Sequence, residues 1–298
     1  MRKYQIAVIG LGQLGRRCVQ ALRHDPALAP AGVVRRNATA DDSLGDLPMV
    51  EHIRELPEVD AALICVPVEH VLGTARELMQ QRIPLVECAR LHGDAFVAQH
   101  AEMQRMARLY KARAVVGAGC DPGILSLFRA QFGLLLPHGH TRSSLHTGAS
   151  LHHTLAAERV PGVRKALATE LKTQDGTAQR YVYVELEPGT DPVMVENAIS
   201  HDPLYLDEQT LVFAVPSIAA LEEDNRGVLL ERHAAAGEPS HAALLLEARF
   251  NEVELAARMM LAACRALPLL RSGAYSLFDL PPSMLWGESG NVAEKPWI

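Results

Sequence analysis

The sequence predicts an α/β fold, a doubly wound parallel sheet joined to a second domain of α+β type. Three observations carry this. Short apolar runs alternate with amphipathic helical stretches through about residue 120, a glycine-rich turn joins the first run to the first helix, and longer runs of alternating polarity follow.

In chain order, strands are expected at Tyr4–Ile9, Gly32–Arg35, Ala61–Val66, Pro84–Glu87 and Arg113–Val116, and helices at Gln13–His24, Glu69–Gln81 and Gly93–Leu109. Short strands that are apolar along their whole length belong to a parallel sheet covered on both faces. In "GAGCDPG", Asp121 reads as an N-cap and Pro122 as the first residue of a helix reaching about Phe132. Four later runs, Arg180–Pro188, Thr210–Val215, Gly227–Arg232 and Ala243–Phe250, alternate in polarity and predict an antiparallel sheet with one face against helices. Between the first two, Asp191 and Pro192 form a cap and first turn. An apolar helix at Glu252–Leu267 and a proline-rich tail close the chain.

The 298 residues are 48% hydrophobic, enough for about two domains to bury their own cores. A formal charge of −6 argues against a nucleic-acid binder, whose surface is usually basic. Cys18, Cys65, Cys88, Cys120 and Cys264 are far apart and lack metal-ligand spacing, so they read as reduced thiols of a cytoplasmic protein, with no metal. No apolar run is long enough to predict a membrane span.

Gly10, Gly12 and Gly15 form G-x-G-x-x-G between a strand and a helix, the arrangement that holds a dinucleotide pyrophosphate. Gln13 and Leu14 lie in the loop's helical limb, where free N–H groups face an anion. At the end of the second strand, where a carboxylate takes the ribose hydroxyls of NAD, the chain reads "VVRRN". Arg35 and Arg36 suit a 2′-phosphate, so the expected cofactor is NADP held in a Rossmann fold. Cys65, Val66 and Pro67 end the next strand either as a cofactor contact or as an ordinary strand-end turn.

Gly10–Arg16, Ala31–Arg36, Cys65–Pro67, His92–Asp94, Ala118–Gly123, Val160–Arg164 and Val182–Gly189 together resemble the NADP-dependent meso-diaminopimelate dehydrogenases in order and spacing. The resemblance implies a Rossmann domain over 1–120, completed by about 258–298, and a substrate and dimerisation domain over 121–257. It further implies a homodimer catalysing reversible oxidative deamination at a D-configured carbon, a reaction of lysine biosynthesis. Asp121 matches the aspartate that contacts the reacting amine, although Cys120 stands where a tryptophan is usual. Arg180 matches an arginine for the distal carboxylate.

Four positions depart from the family: Arg90 replaces a second amine-binding aspartate, Glu170 a threonine, Arg226 a histidine and Glu252 an asparagine. The charges either neutralise one another in a filled distal pocket or read a different substrate. His152 and His153, in "HTGASLHH", stand in place of a glycine- and methionine-rich substrate loop and are either acid–base candidates or part of a polar turn. His92 either supports a strand-to-helix turn or contacts a ligand. The Glu-Lys-Pro of sugar dehydrogenases is absent after the fourth strand, where the chain reads "VECARLHGD". The expectation is therefore an amino-acid dehydrogenase acting on a small amino-acid or keto-acid substrate. The alternatives are an NADPH-dependent imine or keto-acid reductase, and a non-catalytic NADP-binding sensor.

Overall fold

The computed structural model describes residues 2–36, 44–147, 151–172, 178–206, 209–218, 226–235 and 243–286. The elements run β1 (Tyr4–Ile9), α1 (Gln13–His24), β2 (Leu28–Val34), β3 (Met49–Val50), β4 (Ala61–Ile64), α2 (Val68–Gln80), β5 (Leu85–Glu87), α3 (Gly93–Tyr110) and β6 (Arg113–Val115). Then follow α4 (Ile124–Leu135), β7 (Gly139–Thr147), α5 (Leu151–Glu158), β8 (Val163–Lys172), β9 (Ala178–Leu186), α6 (Pro192–Ser200) and β10 (Gln209–Ala214). The last are β11 (Arg226–Ala234), β12 (Ala243–Phe250), α7 (Glu252–Ala266), β13 (Gly273–Tyr275) and α8 (Pro282–Trp286). Two units result, Met1–Phe128 with Val253–Ile298, and Arg129–Glu252.

The first unit holds a parallel sheet of order β13-β6-β5-β4-β1-β2-β3. Alternate residues of β1 feed different cores, as sheet pleating requires. Ile6 and Val8 pack with Cys18, Val19 and Leu22 of α1 and with Met260, Leu261 and Cys264 of α7. Ala7 and Ile9 face Val71, Ala75 and Leu78 of α2 and Met103 and Met106 of α3. Strand order reverses between β1 and β4, which opens a crevice at their carboxyl ends. The buried Asp25 ties α7 to this sheet through an ion pair with Arg265, while its Oδ1 accepts from the N–H groups of Ala27 and Leu28, both at 2.9 Å.

Several elements differ from the sequence expectation. β2 starts at Leu28, because a register shift between Ile6 and Ala7 absorbs the irregularity at Pro30, a residue with no N–H to donate. α4 starts at Ile124, so Asp121 is not its N-cap and Pro122 is not its first residue. Residues 119–123 instead form a closed turn bridged from Gly119 to Gly123, and a Cβ on Gly123 would lie 2.0 Å from the Gly119 carbonyl oxygen. The Ile124 N–H donates to that same carbonyl at 3.2 Å. β3 and β13 are too short to carry a periodic signal.

The second unit has two three-stranded sheets, β10-β9-β8 and β12-β11-β7. The second sheet is antiparallel, as expected, but β10 runs parallel to β9. The reason is α6, a crossover helix between them, of the kind parallel neighbours need. Its cap matches expectation, with Asp191 Oδ1 accepting from the Val193 N–H at 3.0 Å. Ala166, Ala168, Val182 and Val184 pack on Ala157 of α5, on Val195 and Ile199 of α6, and on Tyr205. β7 and β8 are strands the sequence reading did not anticipate. Among the described residues, no helix is long and apolar enough to cross a membrane.

Candidate cofactor and substrate site

The glycine loop is shaped by close backbone approach. Gly10 has φ +96°, and a Cβ there would lie 2.6 Å from the Cys65 carbonyl oxygen. A Cβ on Gly15 would lie 2.1 Å from the Gly10 carbonyl oxygen, so α1 packs against the turn without room for a side chain. A Cβ on Gly12 would meet nothing within 4 Å beyond its own local backbone. Two glycines thus close the turn, and the third leaves open space at its tip where an anion can approach. The Arg16 N–H donates to the Gly12 carbonyl at 3.0 Å and opens the helical bonding of α1, which places the amides of Gln13, Leu14 and Gly15 in the first turn, ahead of the intrahelical bonds. No acidic side chain stands in that turn. The loop therefore fits a pyrophosphate.

β3 fixes the end of β2, since the Arg35 N–H donates to the Val50 carbonyl at 2.9 Å, and the Arg35 and Arg36 side chains are exposed. Near them a cleft of about 540 Å³ opens between the ends of β1 and β2 and the middle and C-terminal half of α2, lined by Ile9, Val34, Glu51, His52, Thr74 and Glu77 among others. The Cys65-Val66-Pro67 turn abuts Gly10 through its backbone, and Pro67 caps α2. The Cys65 thiol faces Cys18, sulfur to sulfur 3.9 Å, and that contact together with burial pushes its pKa well up. This turn meets the loop with main chain, not with the cysteine side chain.

Asp121 is half-buried in the closed turn after β6, and the Ser126 hydroxyl donates to its Oδ1 at 3.5 Å. Arg90 is exposed on the turn after β5, where the Leu91 N–H donates to the Ala89 carbonyl at 2.9 Å. Between these turns lies a small, mostly apolar cavity of about 130 Å³, lined by His92, Phe96, Val116, Pro122, Ser126 and Phe278 among others. His92 occupies the N-cap position of α3 without a side-chain capping bond. The residue that sequence reasoning missed is Glu87. Its carboxylate is fully buried and accepts from the Ala89 N–H at 2.6 Å and the Gly117 N–H at 2.7 Å. A single acidic residue closing an apolar strand was the available signal.

In the second unit, Arg180 is 3% exposed on β9, and Glu170 is its direct partner in register on β8. Arg226 opens β11 opposite Phe250, and Glu252 stands two residues further on, at the start of α7. The departures in this unit thus fall in two places, each with a base and an acid close along the backbone. His152 and His153 sit in the first turn of α5, while residues 148–150 of the same motif lie outside the described residues. The His153 ring is packed edge-on against Tyr205 at 5.0 Å, and its carbonyl accepts from the Tyr205 hydroxyl. His152 is half-buried. The described residues contain no cluster fit to hold a metal.

A family model described as a CoA binding domain matches residues 1–90, the portion that holds the glycine loop. Among curated proteins, the meso-diaminopimelate D-dehydrogenase of Bacteroides fragilis is 31% identical, with 94% of each chain covered. The protein of the same name from Ureibacillus thermosphaericus is 24% identical, with 99% of each chain covered. Among solved structures, the C. glutamicum DAP dehydrogenase in complex with DAP aligns over 99% of this chain and 100% of that chain, with a TM-score of 0.64 at 21% identity. An engineered D-amino acid dehydrogenase bound to NADP+ aligns over the same shares, with a TM-score of 0.65 at 21% identity. The fold and the glycine loop define a dinucleotide-dependent dehydrogenase of two units. The relationship across nearly the whole chain is more particular: the protein belongs to the meso-diaminopimelate dehydrogenase family.

Proposed function

We propose that the protein catalyses NADP-dependent, reversible oxidative deamination of meso-diaminopimelate or a related amino acid, giving the 2-oxo acid and ammonia. The observation that carries this reading is Asp121, held in a closed turn of a chain that belongs to this dehydrogenase family. Gly10, Gly12 and Gly15 with the amides of Gln13 and Leu14 would hold the pyrophosphate, and Arg35 and Arg36 the 2′-phosphate. The cleft beside Val34 and Thr74 would take the adenosine side, and the Cys65-Val66-Pro67 backbone would border the nicotinamide ribose. When bound, NADP supplies the two-electron acceptor. Asp121 holds the reacting ammonium by charge, and Arg180 holds a substrate carboxylate.

A second reading rests on Arg90. A guanidinium where the family resemblance expects an amine-binding aspartate favours an anion over a second ammonium contact, and Glu170 stands opposite Arg180 in the β8–β9 register. NADPH-dependent reduction of an imine or keto acid fits those charges, and a cofactor-binding protein without turnover remains if both fail.

The homodimer reading has its own support. On the face of β9 and β10 opposite the Val182 and Val184 core, Tyr181 and Tyr183 stack on Phe213, with centroids 5.8 and 5.6 Å apart. Leu211 is 37% and Phe213 40% exposed on that face, which suits a self-complementary apolar contact. Reduced thiols fit a cytoplasmic location.

The deciding experiment follows NADPH absorbance after mixing the protein with NADP and meso-diaminopimelate, then with D- and L-amino acids, at alkaline pH. Turnover of meso-diaminopimelate supports the first reading, and turnover only in the reductive direction with a keto acid and an amine supports the second.

A further inference from the structure

We infer that Glu87 is a positioning residue, whose buried carboxylate ties the turn carrying Arg90 to the strand end that leads into Asp121 and so fixes the place of both. The inference rests on the reading of Asp121 as the amine-binding group. Glu87 is the last residue of β5 and is 0% exposed, so it touches no substrate. One carboxylate oxygen takes the Ala89 N–H at 2.6 Å, the other the Gly117 N–H at 2.7 Å, and the Glu87 carbonyl takes the Ala118 N–H at 2.9 Å. One side chain thus clamps the first steps of two neighbouring loops, one following β5 and one following the parallel strand β6.

Gly117 needs such a clamp. It leaves β6 at φ +67°, and a Cβ there would lie 2.6 Å from the Phe96 ring. Four residues on is Asp121. An apolar side chain would fill the place of Glu87 at no electrostatic cost, yet burial here raises the carboxyl to about 7. The groups around it are the two backbone donors, the uncharged Gln99 amide of α3, and the Cys88 thiol, which burial holds neutral by pushing its pKa up. Arg90 acts on Cys88 from the same turn. Ionised Glu87 accepts both N–H groups, whereas the protonated form turns one oxygen into a donor and loosens one loop.

The test uses the whole protein as wild type, Glu87→Gln and Glu87→Asp, and reads amide hydrogen exchange at Ala89 and Gly117 beside kcat and both KM values. The expected result for Glu87→Gln is exchange faster by about tenfold or more at one of the two amides, since one acceptor is lost. Its kcat should fall about a hundredfold from misplacement of Asp121, with KM for NADP within about twofold of wild type. Glu87→Asp, which keeps both acceptors on a shorter arm, should recover part of kcat. In wild type, protection of the two amides, corrected for intrinsic rates, should fall as pH drops through about 7. Unchanged exchange in Glu87→Gln, or changed exchange with unchanged kcat, overturns the inference. If the variants do not fold, pH-independent protection in wild type overturns it. Absence of turnover by wild type on every amino acid, with exchange still responding to Glu87, sinks the deamination reading and leaves the clamp supported.

Discussion

Gly15 lies so close to Gly10 that a Cβ on Gly15 would stand 2.1 Å from the Gly10 carbonyl oxygen, whereas one on Gly12 would meet nothing within 4 Å. The two glycines therefore answer to different pressures, and substitution separates them. Gly15→Ala should lower stability by at least about 2 kcal/mol through overpacking against main chain. Gly12→Ala should leave the thermal midpoint nearly unchanged while weakening NADP binding. Thermal unfolding and a fluorescence titration with NADP check the pair. Equal destabilisation by both would mean that the tip of the loop is not open.

The arginine pair after β2 gives a prediction about cofactor choice. Arg36→Asp should weaken NADP roughly tenfold to a hundredfold, the worth of charged hydrogen bonds to a phosphate, and leave NAD much less affected. Titration with both cofactors decides it. Equal weakening of both removes the 2′-phosphate assignment.

Asp121→Asn keeps the shape of the closed turn but removes the charge. Turnover should fall about a hundredfold or more, with NADP affinity unchanged. Steady-state kinetics on whichever amine the wild type oxidises is the measurement, and undiminished kcat takes Asp121 out of the reaction.

Much of the first unit was legible because its signals are local. Gln13–His24 was read with its observed ends, since the glycine loop and the amphipathic period both mark them. β3 and β13 were not legible, because two or three residues hold no period and only pairing makes them strands. At Asp121-Pro122 a good capping signal was overridden by the approach of Gly119 and Gly123, a contact that residue types alone do not announce. β10 beside β9 shows the same limit, since alternation reports a half-buried strand but not its direction. The glycines and Arg35–Arg36 stood out as a motif. Glu87 did not, because its partners are backbone N–H groups from two different loops.

Burial of Glu87 also shapes stability against pH. Its carboxyl is raised from 4.5 to about 7 in the folded protein, so between those values the folded state keeps a proton that the unfolded chain releases. Stability from this group is full below about 4.5, declines as pH rises, and is lower by about 3 kcal/mol above 7. Glu87→Gln lacks this slope. Denaturant unfolding of both proteins at pH 5 and pH 8 should show wild type losing ground to the variant at the higher pH. Parallel behaviour would mean that burial does not raise the Glu87 carboxyl.

Arg265 and Asp25 provide a test of how α7 is secured. Asp25 is almost fully buried, so Arg265→Met leaves its charge stranded and should cost about 3 kcal/mol, while Asp25→Asn, which keeps the cap on Ala27 and Leu28, should cost less. Chemical unfolding of the two variants compares them.

The placement of β13 beside β6 governs the order in which the chain can mature. The entire second unit lies between these strands in sequence, so a nascent chain has made β1 to β6 long before the strand and helix that finish that layer leave the ribosome. Until then the edge of β6 and the face that later receives Met260 and Leu261 stay open to other chains. The segment made first is therefore sealed last, and its exposed edge is the place where a nascent chain is open to wrong pairing during synthesis.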